Sequence, residues 1–119
     1  MNRLPALALI AACCGAFAAS PGTKGATQAV DVSLQPKKVH EECLRMEKGD
    51  KRQYSWKSSS PVDFNIHYHE GPEAFYPVKR EAMRGDGGTF TAKVATDYCW
   101  MWTARDAAAK VTGRIDPKK

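Results

Sequence analysis

A chain of 119 residues, 43% hydrophobic and 26% charged, has room for one domain of ordinary size. Its composition excludes both a disordered chain and one that is membrane-embedded throughout. The formal net charge of +5 is mild, and basic residues such as Lys37, Lys51, Arg84 and Lys110 are scattered among acids. That scatter reads as a solvated surface and argues against a nucleic-acid or anionic-lipid partner.

The first residues carry a short positive stretch, Met1-Asn2-Arg3, then an apolar run from Leu4 to Ala12 interrupted by Pro5. This is the plan of a secretory signal, and Ala16-Phe17-Ala18 supplies a small-x-small cleavage site, with Ala18-Ala19-Ser20 as an alternative. We therefore assign residues 1–19 to a signal peptide, 20–36 to a linker and first strand, and 37–116 to the domain proper. A second reading starts from Ile10-Ala11-Ala12-Cys13, which resembles a lipobox and would make Cys13 the lipidated residue, tethered through the Gly-, Thr-, Ala- and Ser-rich Ser20–Ala29 stretch. Both readings expect export to the periplasm or beyond, one as a soluble protein and the other as a membrane-anchored lipoprotein.

Cleavage at the small-x-small site leaves 17 basic against 13 acidic residues and only two cysteines, Cys43 and Cys99. In an oxidising compartment an even pair reads as a disulfide.

Downstream of residue 30 no helical period is sustained, and short runs of period-two alternation recur between turn residues. Val30–Leu34 opens the series and Pro36 breaks it. Val39–Met46 follows, closed by Gly49-Asp50, and Arg52–Lys57 reads as the returning strand of a hairpin. After the turn residues Ser58-Ser59-Ser60-Pro61 comes the clearest strand, Val62–Glu70, with Val62, Phe64, Ile66 and Tyr68 on one face and Asp63, Asn65, His67 and His69 on the other. Gly71-Pro72 ends it. Ala74–Lys79 contains Pro77 and suits a sheet edge, and Arg84–Gly88 reads as a turn leading into Thr89–Val94. Tyr98–Thr103 is aromatic on one face and apolar on both, as a central strand would be. Ala104–Lys110 reads as a loop and Lys110–Ile115 as the last strand. Seven to eight short strands point to an all-β antiparallel sandwich of jelly-roll type, with a closed barrel as runner-up. Tyr54, Trp56, Phe64, Ile66, Tyr68, Phe90, Tyr98, Trp100 and Trp102 are its expected large core residues.

The layout from Val39 to Ile115 resembles a GOLD (Golgi-dynamics) domain. The resemblance rests on Cys43 before a hydrophobic strand, Gly88-Thr89-Phe90 at the end of a hairpin, and the aromatic-Cys-aromatic triplet Tyr98-Cys99-Trp100. It implies a β-sandwich clamped by Cys43–Cys99. Thr96-Asp97 stands where that family has a glycine, and the coiled coil and membrane helix of its cargo receptors have no counterpart here, so a trafficking role is not implied.

His67-Tyr68-His69 is the sharpest local feature, because residues two apart on a strand point the same way and can bring two imidazoles to one copper or zinc ion. His40 is the candidate third ligand, with the thioethers of Met46, Met83 and Met101 as soft donors. Asp63, Asn65, His67 and His69 together form a candidate binding surface. No nucleophile-base-acid set is apparent: Ser58–Ser60 sit in a turn, Glu41 and Glu42 alternate to opposite faces, and Arg84-Gly85-Asp86 reads as turn chemistry. The expectation is therefore a non-enzymatic binding or structural module with no cofactor and an unknown protein or lipid partner in the envelope. The alternative is a periplasmic metal-binding protein.

Overall fold

The computed structural model describes residues 26–118. The signal segment, Cys13 and most of the expected linker lie outside the described residues. Within them all regular structure is strand: β1 Gln28–Leu34, β2 Val39–Met46, β3 Lys51–Glu70, β4 Glu73–Thr91, β5 Thr96–Ala104 and β6 Ala109–Lys118. The six form one antiparallel sheet in the order β1-β6-β3-β5-β2, with β4 paired to β3.

The strand count is six, not seven to eight, because two expected turns are bends inside long strands. Ser58–Pro61 lies within β3 and Arg84–Gly88 within β4. Ser58 Oγ donates to the Ser60 carbonyl at 2.6 Å, so a serine hydroxyl bonds the backbone where the ladder is interrupted, and the register with β4 shifts between Lys57 and Val62. Pro61, which has no N–H to offer, sits in that irregular stretch where none is required. In β4 the glycines serve close approach: a Cβ at Gly85 or Gly87 would stand 3.0 Å from the carbonyl oxygen of Trp56 or Tyr54. The expected hairpin between Val39–Met46 and Arg52–Lys57 does not form either. β2 pairs with β5, while β3 pairs with β4, β5 and β6. The strand end at Gly71-Pro72, the edge position of the Pro77 strand, the central position of β5 and the loop before β6 all stand as expected, and Gly71-Pro72 proves to be a hairpin turn between β3 and β4.

β3 holds the molecule together. Its first part, Lys51–Ser58, pairs with β6, and its second, Val62–His67, pairs with β5. The bend turns the inner faces of these two parts toward each other. Trp56 from the first part meets Phe64 at 5.2 Å and Trp102 at 6.3 Å between ring centroids, and Tyr54 meets Phe64 at 5.7 Å and Trp100 at 6.2 Å. Val30 and Leu34 of β1, Leu44 and Met46 of β2, and Val111 and Ile115 of β6 complete the buried core. Of the expected large core residues Tyr68 alone is half-buried. β1 starts inside the stretch expected to be a tether, because Val30 and Leu34 are core residues and the chain entry is fastened: Arg52, itself buried, donates to the Ala26 carbonyl at 3.1 Å.

Candidate binding site

Cys43 and Cys99 are directly opposed across β2 and β5 and are joined, with Cα atoms 4.0 Å apart. The bond lies on the outer face of the second half of the sheet. Cys99 is also the register partner of His67, which places the histidine beside the disulfide.

That outer face is less open than alternation alone implies. Of the expected surface Asp63, Asn65, His67 and His69, only His69 is exposed; Asn65 and His67 are buried. His67 is enclosed by Tyr76 at 5.6 Å and His69 at 5.1 Å between ring centroids. Its Nδ1 donates to Asn65 Oδ1 at 2.7 Å, so in the neutral ring Nε2 carries the lone pair, and it faces Glu41 at 3.4 Å. Burial holds the His67 pKa below its ordinary value; the Glu41 carboxylate opposes that shift and His69 adds to it. Asp63 acts as a pin. It accepts the N–H of Ala82, a residue with φ of 52°, at 3.0 Å and pairs with Arg105 at 2.6 Å. Burial by itself would raise its pKa, but those two donors hold it below the ordinary value.

His40 does not join His67 and His69. It is the register partner of Trp102, whereas His67 is that of Cys99, so the two histidines occupy opposite faces of the sheet. His40 stacks on Trp102 at 6.2 Å and bonds Glu42 at 2.9 Å. Met46 is buried in the core, Met83 packs against it from the opposite strand to Val62, and Met101 shares the outer face with Asn65. Among the described residues no group of three or more His, Cys, Asp or Glu is placed to hold a metal ion.

A better-formed surface opens elsewhere. Both ends of β4 border the open seam of the bent sheet, where a groove of about 490 Å³ is lined by Tyr68, Phe75, Tyr76, Phe90, Lys93 and Tyr98, among others. Its aromatic wall is continuous: Tyr68 stacks on Phe75 at 5.2 Å and meets Tyr98 edge-on at 5.2 Å, and Tyr98 meets Phe90 at 5.0 Å. The Tyr98 hydroxyl donates to the Val94 carbonyl at 2.8 Å and fixes the loop at one rim. At the other rim Phe75 and Tyr76 are 36% and 49% exposed, and the Lys79 ammonium lies 5.6 Å from the centre of the Tyr76 ring. A cluster of partly exposed aromatics in a concavity is a feature of binding surfaces. The residues that form this rim, Phe75-Tyr76-Pro77, were legible as an edge strand. Aromatic side chains on a strand with one neighbour and a proline are the signal that could have marked them as a surface.

No protein-family model matches the chain, and no curated protein matches it. Solved structures do. The chain is similar to Aeromonas hydrophila PliG, a periplasmic lysozyme inhibitor of g-type lysozyme, with a TM-score of 0.57 and 12% identity over 77% of this chain and 86% of that one. It is also similar to Salmonella Typhimurium PliG, another such inhibitor, with a TM-score of 0.53 and 14% identity over 79% of this chain and 89% of that one. At these identities the likeness extends to the fold: the chain has the all-β fold of these two inhibitors.

Proposed function

We propose that the protein is an exported, non-enzymatic binding module of the bacterial envelope that receives a protein partner in the aromatic groove between Phe75 and Phe90. The observation that carries this reading is the groove itself, a concave and partly exposed aromatic surface on an edge strand. The Cys43–Cys99 bond supports an oxidising compartment, and the fold shared with two periplasmic inhibitors supports a role in binding a protein rather than transforming a small molecule. Because both of those proteins act on a g-type lysozyme, such a lysozyme is the first partner to test. In this reading the two halves of the bent sheet act as the layers of a β-sandwich, and the chain is a GOLD-like variant through Cys43, Gly88-Thr89-Phe90 and Tyr98-Cys99-Trp100.

The test is calorimetric titration of a purified g-type lysozyme with the protein and with a Phe75→Ala/Tyr76→Ala variant, alongside a lysis assay. Saturable binding that the variant loses supports the reading. Absence of binding removes this lysozyme as the partner, and binding that the variant retains at full strength removes the groove. The intact mass of protein from its native envelope decides between a chain beginning near Ala19 and one lipidated on Cys13.

A second reading uses His67 and His69 as copper or zinc ligands, favoured by their 5.1 Å ring separation. Titration with Cu(I), Cu(II) and Zn(II) tests it, and a stoichiometric complex must disappear in His67→Ala for the reading to hold.

A further inference from the structure

Lysines that are dispersed along the chain are collected by strand register onto one face. On the outer side of the sheet formed by β1, β6, the first part of β3 and the end of β4, Asp31, Thr112, Lys57 and Gly85 form one row across the strands, and Ala29, Arg114, Ser55 and Gly87 form the next. Lys110 lies beyond one end of these rows. Beyond the other, Lys51 and Lys118 are direct cross-strand partners.

Like charges set opposite one another cost stability unless something separates or neutralises them. Here no carboxylate intervenes: Lys51 Nζ donates to Thr91 Oγ1 at 3.1 Å and Lys118 Nζ to Thr89 Oγ1 at 3.3 Å. Of the two acids on this face, Asp116 is already engaged by Arg114 through bonds of 2.8 and 2.9 Å. The face also has a receptacle. A shallow recess of about 770 Å³ is bordered by Lys57, Arg84, Gly85, Thr112 and Arg114 and by one acid, Asp86, which Arg80 approaches at 3.7 Å; the recess is open because β4 carries glycines there. The opposite outer face, with Glu41, Asp63, Asp97 and the enclosed His67, has no such excess of cations.

We propose that this basic face docks on an anionic membrane leaflet, its lysines and the recess taking the phosphates of lipid headgroups. The 25 residues that precede the described part join this half through β1, which abuts β6, so the chain enters beside the lysines. Charge complementarity then sets which side faces the lipid. A lysine near an anionic leaflet is worth about fivefold in partitioning, an effect that falls off within a screening length of about 8 Å at physiological salt and fades as added salt shortens it toward about 3 Å.

Vesicle sedimentation of the full chain tests the proposal, with phosphatidylcholine vesicles compared with and without phosphatidylglycerol, so that any contribution of the apolar N-terminal stretch is common to both. The expected result is partitioning at least about tenfold stronger onto the phosphatidylglycerol vesicles at low salt. It should be lost on adding salt and lost in Lys51→Gln/Lys57→Gln/Lys110→Gln/Lys118→Gln, with the circular-dichroism spectrum of that variant unchanged and its melting temperature not lowered. Lys79→Gln/Arg45→Gln, which removes cations outside this face, should leave it intact. Should the quadruple variant unfold, Lys57→Gln/Lys110→Gln with the rest of the face untouched gives the same readout at roughly half the effect on the logarithmic scale. Equal binding to both vesicle types overturns the proposal. So does full displacement by inorganic phosphate, which would indicate a free-anion site, or by duplex DNA at equal phosphate concentration, which would indicate a nucleic-acid partner.

Discussion

Replacing the two half-cystines by Cys43→Ser/Cys99→Ala tests how the sheet keeps its far edge. β2 has one neighbour, β5, and through β5 and the disulfide it is tied to the strand that runs beside β3. The bond closes a loop with a sequence separation of 56. In the chain-entropy treatment such a loop removes about 14 cal/mol/K from the unfolded ensemble, so the bond is worth about 4 kcal/mol at 25 °C. Removing the two sulfurs costs little else in packing, since Cys43 is exposed and Cys99 lies under the outer surface rather than in the aromatic core. Urea denaturation of wild type and double variant should therefore differ by about 4 kcal/mol, with a fall in melting temperature of roughly 15 to 30 °C. A difference below about 1 kcal/mol would refute the reasoning, because it would mean that the unfolded chain is not restrained by the link or that β2 holds its register without it.

Gly113→Ala should be more damaging than an alanine elsewhere in β6, since its Cβ would stand 2.5 Å from the Ser55 carbonyl and 2.6 Å from the Trp56 Cβ; a loss of about 3 kcal/mol or more is expected in denaturant titration. Trp102→Ala removes a fully buried ring that meets Trp56, Phe64 and His40 and should cost about 3 to 5 kcal/mol, again read from denaturation midpoints. Arg105→Ala breaks an ion pair whose members are 44% and 41% exposed and should cost under about 1 kcal/mol, whereas Asp63→Ala also frees the Ala82 N–H and should cost more in the same measurement. The depressed pKa of His67 makes the unfolded chain the better proton acceptor, so its contribution is complete above the ordinary value of 6.5 and is lost as pH falls from there through the folded-state value. Melting temperature should drop across that window in wild type and drop less in His67→Gln.

The core was legible and the connectivity was not. Period-two alternation identified Trp56, Phe64, Trp100 and Trp102 as core because a strand half-buried in a sheet leaves that pattern whatever its neighbours are. What misled was the weight given to turn residues. In β3 the inward phase runs unbroken through Arg52, Tyr54, Trp56, Val62, Phe64 and Ile66, all buried, with Ser58 and Ser60 in step between them. A real turn has no reason to conserve phase across Ser58–Pro61, so the preserved alternation was the sign of one bent strand. The glycines of Arg84–Gly88 deceived for a related reason: glycine marks a turn or a close backbone approach, and only the partner strand decides which. The outward set Asp63, Asn65, His67 and His69 was identified correctly as a face. The burial of His67 was not foreseeable, because Tyr76 and Glu41 come to it from two other strands.

The same bend keeps the candidate surfaces apart. Since β3 does not change phase, both halves of the sheet turn the same side inward, and the outer sides are free to differ: lysines and glycines on one, the disulfide and the enclosed histidine on the other. The groove belongs to neither, because it opens at the seam where the ends of β4 converge. Among the described residues Phe75 and Tyr76 pair with Tyr68, His67 and Lys79, whereas Lys51 bonds Thr91, so changes at the two surfaces should add in both stability and binding. A variant carrying Phe75→Ala/Tyr76→Ala together with the lysine substitutions should therefore lose partner and lipid by the same factors as the separate variants. Departure from that product by more than a few-fold would mean that the two faces communicate through the sheet, and that the rigid arrangement of β3 is not what holds them independent.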